Sequence, residues 1–592
     1  MRNLSKNCKL ERSREVVLTT AKSDSARYSS TGSSSVAVVK TTTGSRFLCL
    51  QFLLKLLIKI LPLCLFFSYF PVISLGGSES MNFELSVPLL WLVLFDVVAF
   101  SQMVIEKKLF KGLKGKWVWL LFPVFVTLSL IWSLNRVRGV LTVGIMWLLV
   151  FAGYAMWSFR EIFDAEFRAK WLKWLLRSTL FVCGWCLLQC VLDLVGVSRD
   201  YSLMCAGCTY QMFGFPHPNG FAIEPQFMGN LLLAPAMVAM WLYLGDNLNS
   251  VLRGRGSSRP SSRGSDPSSL GRDLRKPLRT PLSVVSLKSY DDNSRFLCSN
   301  FLLFCFFATI ASLFLTFSRG AIYAFTVGLC FMAGYLLVKK KNRMLFAKRM
   351  GVIWLIVAGA FLFTLNLQGV MAAVSPTNDT YMSGVAKVLN HLSLGIIDIR
   401  GSSENSGGND VEMTKNTEVI IEKQGEQLVE NSVENSGEKA VENSDNTQSV
   451  FDGYVAESTE VRMQLTHFAL RAWSGDVSTV FVGSGIGGAG VKLFNDGLTD
   501  SPKEIVQNEY ASLMLETGLI GISLFALMLV LIVRIVLKNP MRIMILGLLV
   551  AYGVSLLFFS GFANALHIYL LPMVLVFLWS CDEAVDYSGR RK

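Results

Sequence analysis

Long apolar runs, each cut off by a short cluster of charge, recur along most of this chain. A helix needs roughly 20 apolar residues to cross about 30 Å of hydrocarbon, and many of the runs reach that length. Inside a bilayer only a helix or a closed barrel satisfies its own backbone, so runs of this length read as helices. The composition agrees: of 592 residues, 52% are hydrophobic and only 17% charged, against about a quarter charged in a soluble protein. Mean hydropathy is +0.45. The expectation is an all-α polytopic membrane protein.

About 12 transmembrane helices are expected, at 48–75, 87–105, 117–134, 139–157, 172–195, 222–244, 297–316, 320–338, 350–370, 508–537, 542–560 and 564–580. Orientation follows from lysine and arginine, which gather on the cytoplasmic side. The breaks at 106–116, 246–296 and 339–349 are strongly basic, and the C-terminal tail ends Arg590-Arg591-Lys592. All four fall inside if both termini are cytoplasmic. The net charge of +13 therefore belongs to loops between apolar runs and does not point to nucleic acid.

Residues 1–46 are polar, basic and rich in Ser and Thr, as in a disordered cytoplasmic tail; a transit peptide has a similar composition. Residues 47–370 carry the first nine helices, with the Arg/Ser/Pro/Gly loop 246–296 read as a linker on the cytoplasmic side. Two long segments are then external, 196–221 and 371–507. The second holds a Val-Glu-Asn-Ser phrase at 429–432, 433–436 and 441–444, and its acidic middle, 400–450, reads as a disordered insert. Helices ten to twelve occupy 508–580, and 581–592 is a cytoplasmic tail. The twelve cysteines lie mostly within apolar runs; Cys205 and Cys208 are in the first external loop, as a disulfide or as free thiols.

In this topology several polar groups sit where the positive-inside rule does not put them. Arg136 and Arg138 lie at the outer mouth between the third and fourth helices, and Arg319 in the tight turn between the seventh and eighth. A guanidinium fork suits phosphate; an interfacial arginine on lipid headgroups is the plainer account. Glu224 stands at the start of the sixth helix before Pro225, where it serves as a base or simply favours the helix N-terminus. His217, between two prolines, reads as structural. The run Gly483-Ser484-Gly485-Ile486-Gly487-Gly488-Ala489-Gly490 opens no βαβ unit, so it reads as a turn that brings backbone close to the membrane surface and not as a dinucleotide loop. Asn508 caps a helix that begins with Glu509, and Glu516 lies seven residues further, one or two turns inside the membrane. An acid at that depth tends to be functional, or hydrogen-bonds a neighbouring helix.

In order, Ile131-Trp132-Ser133, Phe317-Ser318-Arg319-Gly320, Arg462 followed by Trp473 and the glycine run, and Asn508-Glu509-Tyr510 through Glu516-Thr517-Gly518-Leu519-Ile520-Gly521 form a pattern. It resembles the O-antigen ligase and O-antigen polymerase superfamily of bacterial membrane glycosyltransferases. The resemblance covers most of 115–580 and implies transfer of a glycan from an undecaprenyl-diphosphate carrier at the outer leaflet of the inner membrane. No metal and no cofactor takes part. The acceptor is a second lipid-linked glycan or a lipid. The family's outer arginines hold the diphosphate, a role that passes to Arg319 and Arg462, with Arg136 and Arg138 beside them. Glu224, Glu509 and Asn508 are the candidate catalytic residues. In ligases a histidine precedes the asparagine of the last segment; here Gln507 occupies that place and cannot act as a base, which favours a polymerase. A secondary transporter is the rival reading, but transporters show repeated halves and broken helices at the midplane, and the polar groups here cluster at one face.

Overall fold

The computed structural model describes residues 34–68, 73–74, 84–107, 117–197, 208–209, 215–244, 299–339, 343–374, 380–393, 446–539, 541–559 and 566–580. The described chain is an all-α bundle. Its first half comprises α1 (Ser34–Phe66), α2 (Val87–Ile105), α3 (Leu121–Leu128, with a 3-10 turn at each end), α4 (Arg136–Ser158), α5 (Ala165–Leu194) and α6 (Pro225–Leu244). Next come α7 (Ser299–Leu315), α8 (Arg319–Lys339), α9 (Arg343–Val374) and α10 (Tyr381–Leu392). The last third holds α11 (Asn446–Ser474), α12 (Val477–Val482), α13 (Ala489–Asn495), α14 (Glu509–Lys538), α15 (Arg542–Ser555) and α16 (Leu566–Leu578). The only strands among the described residues are a two-residue antiparallel pair, β1 (Ile73–Ser74) and β2 (Glu84–Leu85).

Among the described residues, eight helices are long and apolar enough to cross a membrane: α1 from Leu48, α2, α4, α5 from Glu166, α6, α8 to Val338, α9 from Met344, and α14. Shorter apolar helices at 118–131, 300–315, 542–555 and 566–578 coincide with the remaining apolar runs. The chain is thus a polytopic α-helical membrane protein.

The first helix departs from expectation. It ends at Phe66 and not at 75: Ile73 and Ser74, inside the expected span, pair as a strand with Leu85 and Glu84. At its other end α1 starts at Ser34, inside the polar N-terminal segment. Residues 1–33, the loop 246–296, most of the insert 400–450 and the tail 581–592 lie outside the described residues.

Pro62 lies within α1 and removes the donor that would meet the Ile58 carbonyl. Trp171 Nε1 of α5 donates to that carbonyl at 2.7 Å, and Trp91 Nε1 of α2 donates to the adjacent Leu57 carbonyl at 2.8 Å. Two buried indoles thus clamp the break.

The central core is formed by α6, whose buried face runs from Met228 to Leu244, with α7, α8, α15 and α16 packed around it. Close approach requires glycine: a Cβ at Gly328 of α8 would lie 2.9 Å from Ala551 Cβ and from the Gly547 carbonyl of α15. At one end of the bundle Arg168 at the start of α5 donates to the Leu578 carbonyl at 3.0 Å. There too Asn539, just past α14, donates to the Val576 carbonyl at 3.1 Å. The opposite end carries the starts of α4, α6, α8 and α14.

Candidate functional site

Four short segments meet at that opposite end. Gln189 of α5 donates to Asn219 Oδ1 at 3.0 Å and to the Gly220 carbonyl at 2.9 Å, and accepts from Gly220 N–H at 2.9 Å. Gly220 has φ +62°, a left-handed turn that an L side chain would strain. This clamp delivers the loop into α6, where Glu224 is exposed and its carbonyl accepts from Phe227 N–H at 3.1 Å. Glu224 therefore stands at the helix cap with Pro225 as the first helical residue.

One turn on, a Cβ at Gly229 would lie 2.9 Å from Ser318 Cβ and 3.0 Å from Ala321 Cβ. The start of α6 is thus pressed against the Thr316–Arg319 turn that opens α8. A Cβ at Gly320 would lie 2.8 Å from Phe558 Cβ, which sets the same turn on the segment after α15. Gln226 Nε2 donates to the Phe558 carbonyl at 2.8 Å, and Glu509 N–H donates to the Leu556 carbonyl at 3.0 Å. Glu224, Arg319 and Glu509 are gathered around Leu556–Phe558. Asn508 Oδ1 accepts from Tyr510 and Ala511 N–H at 3.1 and 3.2 Å, so its side chain is committed to capping α14.

On the far side of Arg319 lies a group that the sequence reading missed. The rings of Phe215, His217, Phe317 and His391 pack together, with Phe215–Phe317 centroids 4.6 Å apart and His217–His391 centroids 5.8 Å apart. Both imidazoles are buried. Phe317 has φ +48°, a conformation rare for a bulky residue, and its carbonyl pairs with His391 Nε2 at 3.2 Å. Burial, then His391 and the Arg319 charge, hold His217 well below the ordinary imidazole range. Burial and then Arg319 push His391 down to about 4, with Arg462 adding to the effect and the Phe317 carbonyl opposing it. Arg319 and Arg462, from α8 and α11, thus act on one imidazole. His391 sits on α10, a short amphipathic helix inside a segment read as loop; its buried face carries Gly384, Val388 and His391.

Arg138 belongs to a second group. The glycine run is buried from Gly483 to Gly490, and Gly483, Gly485 and Gly487 have φ of +75°, +84° and +80°. Gly518 breaks α14 with φ +62° and ψ −167°, which frees the carbonyls before it. Ser484 N–H donates to Leu515 O at 2.9 Å and Gly485 N–H to Glu516 O at 3.0 Å. The Glu516 carboxylate accepts from the Ala489 N–H at 3.3 Å, takes a second bond from the Gly487 backbone, and has Arg138 as its cationic neighbour. Ser133 Oγ donates to the Ile486 carbonyl at 2.8 Å, and Ser129 Oγ accepts from Ile486 N–H at 3.2 Å. The two glycine-bearing motifs are halves of one joint, and Glu516 hydrogen-bonds a neighbouring segment. Arg136, the first residue of α4, is exposed beside this joint.

Cys208 is disulfide-bonded, and its carbonyl accepts from His217 N–H at 2.9 Å. No protein-family model, no curated protein and no solved structure matches this chain.

Proposed function

We propose that the protein is a glycosyltransferase of the bacterial inner membrane that extends lipid-diphosphate-linked oligosaccharide at the outer leaflet, in the manner of an O-antigen polymerase. The carrying observation is that the starts of α6, α8 and α14, with Glu224, Arg319 and Glu509, meet around Leu556–Phe558 at one end of a membrane bundle, where the Arg319 and Arg462 charges also lower the basicity of His391. Two fixed guanidinium charges at a membrane surface suit a polyprenyl diphosphate, where they stabilise the charge that grows as the sugar C1–O bond breaks. Glu224 and Glu509 are the carboxylates at this end that can activate the acceptor hydroxyl. Arg136 and Arg138 flank the path. The Cys208 disulfide fits an oxidising, extracytoplasmic loop on the side opposite the basic loops and both termini, in a topology of twelve spans.

Reconstitution with a lipid-diphosphate oligosaccharide, with and without a lipid A acceptor, tests this reading by sizing the glycan. A ladder formed without lipid A is expected; a single shift that requires it makes the protein a ligase, and no product removes the proposal. Arg319→Ala is expected to reduce extension at least about 100-fold with normal membrane insertion. Full-length polymer from that variant would remove Arg319 from the site.

A further inference from the structure

The proposed reaction needs a proton acceptor for the attacking sugar hydroxyl, and the histidine that supplies one in ligases is Gln507 here. A backbone carbonyl only accepts hydrogen bonds. The 3.2 Å contact between His391 Nε2 and the Phe317 carbonyl therefore puts the ring proton on Nε2 and the lone pair on Nδ1. His391 is 7% exposed, and Nδ1 is buried with no hydrogen-bond partner among the described residues. A buried acceptor left without a donor is costly, and the charges of the two arginines assigned to the diphosphate bear on the same ring.

We propose that His391 takes the proton of the attacking sugar hydroxyl at Nδ1. The hydroxyl oxygen bonds to C1 of the donor sugar, and the C1–O bond to the diphosphate breaks. The electron pair of that bond leaves with the diphosphate on Arg319 and Arg462, and the hydroxyl proton passes to Nδ1; the imidazolium then returns it to water. The incoming hydroxyl is the donor that Nδ1 lacks in the unliganded chain. The charged and titratable groups around His391 are His217 from the loop before α6, Arg319 from α8 and Arg462 from α11; the Tyr323 hydroxyl of α8 donates to the neighbouring Leu392 carbonyl, and Lys387 lies four residues back on the same helix. Diphosphate meets the arginine charges, so the imidazole gains basicity as the leaving group binds. The base is thereby armed only when a donor is present, and Glu224 and Glu509 are left to orient hydroxyls.

The inference rests on the function proposed above, and its test separates the two. Full-length protein in proteoliposomes is assayed for binding of farnesyl diphosphate and for chain extension across pH. His391→Gln keeps an amide donor for the Phe317 carbonyl but accepts no proton. It is expected to bind farnesyl diphosphate within about twofold of wild type while extension falls at least about 100-fold. His391→Ala is expected to regain extension when imidazole is added, increasingly as the buffer passes through the imidazole pKa. Extension by His391→Gln within threefold of wild type overturns the inference. So does parallel loss of binding and extension, which marks an anchor for the turn. Imidazole rescue of Glu224→Ala or Glu509→Ala in place of His391→Ala overturns it as well. Wild-type protein that neither binds nor extends overturns the function itself, and this inference with it.

Discussion

At the residue scale, histidine titration makes the candidate site measurable without substrate. An imidazole in the unfolded chain titrates near 6.5, whereas His391 is pushed down to about 4 and His217 lies well below its ordinary range. As pH falls the unfolded chain takes up protons first, and stability falls with it. The contribution of His391 is complete above about 6.5 and drains away as pH approaches 4, by on the order of 3 kcal/mol. Melting in detergent between pH 7 and 4.5 is expected to fall further for wild type than for His391→Gln; equal falls would assign the acid lability elsewhere. Arg319 stood out in the sequence because it puts a cation on the side where the positive-inside rule does not, and Glu224 and Glu509 because each is an acid at the start of an apolar helix. His391 breaks none. Its role depends on Phe317 and Arg462, 74 and 71 positions away in the chain, and no spacing rule connects them.

Among elements, the joint between the glycine run and α14 explains why both motifs need their glycines. A Cβ at Gly485 would lie 2.3 Å from Ser133 Cα, and one at Gly518 2.4 Å from the Phe481 carbonyl, each with positive φ. Gly359, inside α9, meets nothing within 4 Å. Gly485→Ala and Gly518→Ala are each expected to cost about 3 kcal/mol, adding left-handed strain to overpacking, while Gly359→Ala is expected to be neutral. Folded yield and melting temperature of the three variants check this; a stable Gly518→Ala protein would show that α14 tolerates being straightened. The sequence showed a glycine-rich turn at 483–490, but not that it packs into α14 or that the break at Gly518 frees the carbonyls it needs. A helix interior broken by a positive φ leaves no trace in an apolar run. Helix α10 was hidden for the converse reason: it is short and carries Lys387, Asn390 and His391, and its apolar face acquires meaning only against the end of α9.

For the whole molecule, apolar run length was enough to locate the apolar helices, because a bilayer imposes one length and one secondary structure. Which end faces which compartment rests on the distribution of charge and on the Cys208 disulfide. Single cysteines placed in 246–296 and 400–450 are expected to react with an impermeant thiol reagent only from the cytoplasmic and the external side, respectively. The reverse pattern would put the arginines in the wrong compartment for a lipid-linked glycan. The clamp on α1 has a consequence for biogenesis. A carbonyl with no donor in hydrocarbon costs several kcal/mol, and the one freed by Pro62 is met by Trp171, more than 100 residues downstream. The hydrogen bonding of α1 is therefore complete only once α5 has been made. A truncation ending before residue 171 leaves the first helix in need of a water molecule, a chaperone or retention at the translocon until its partner arrives.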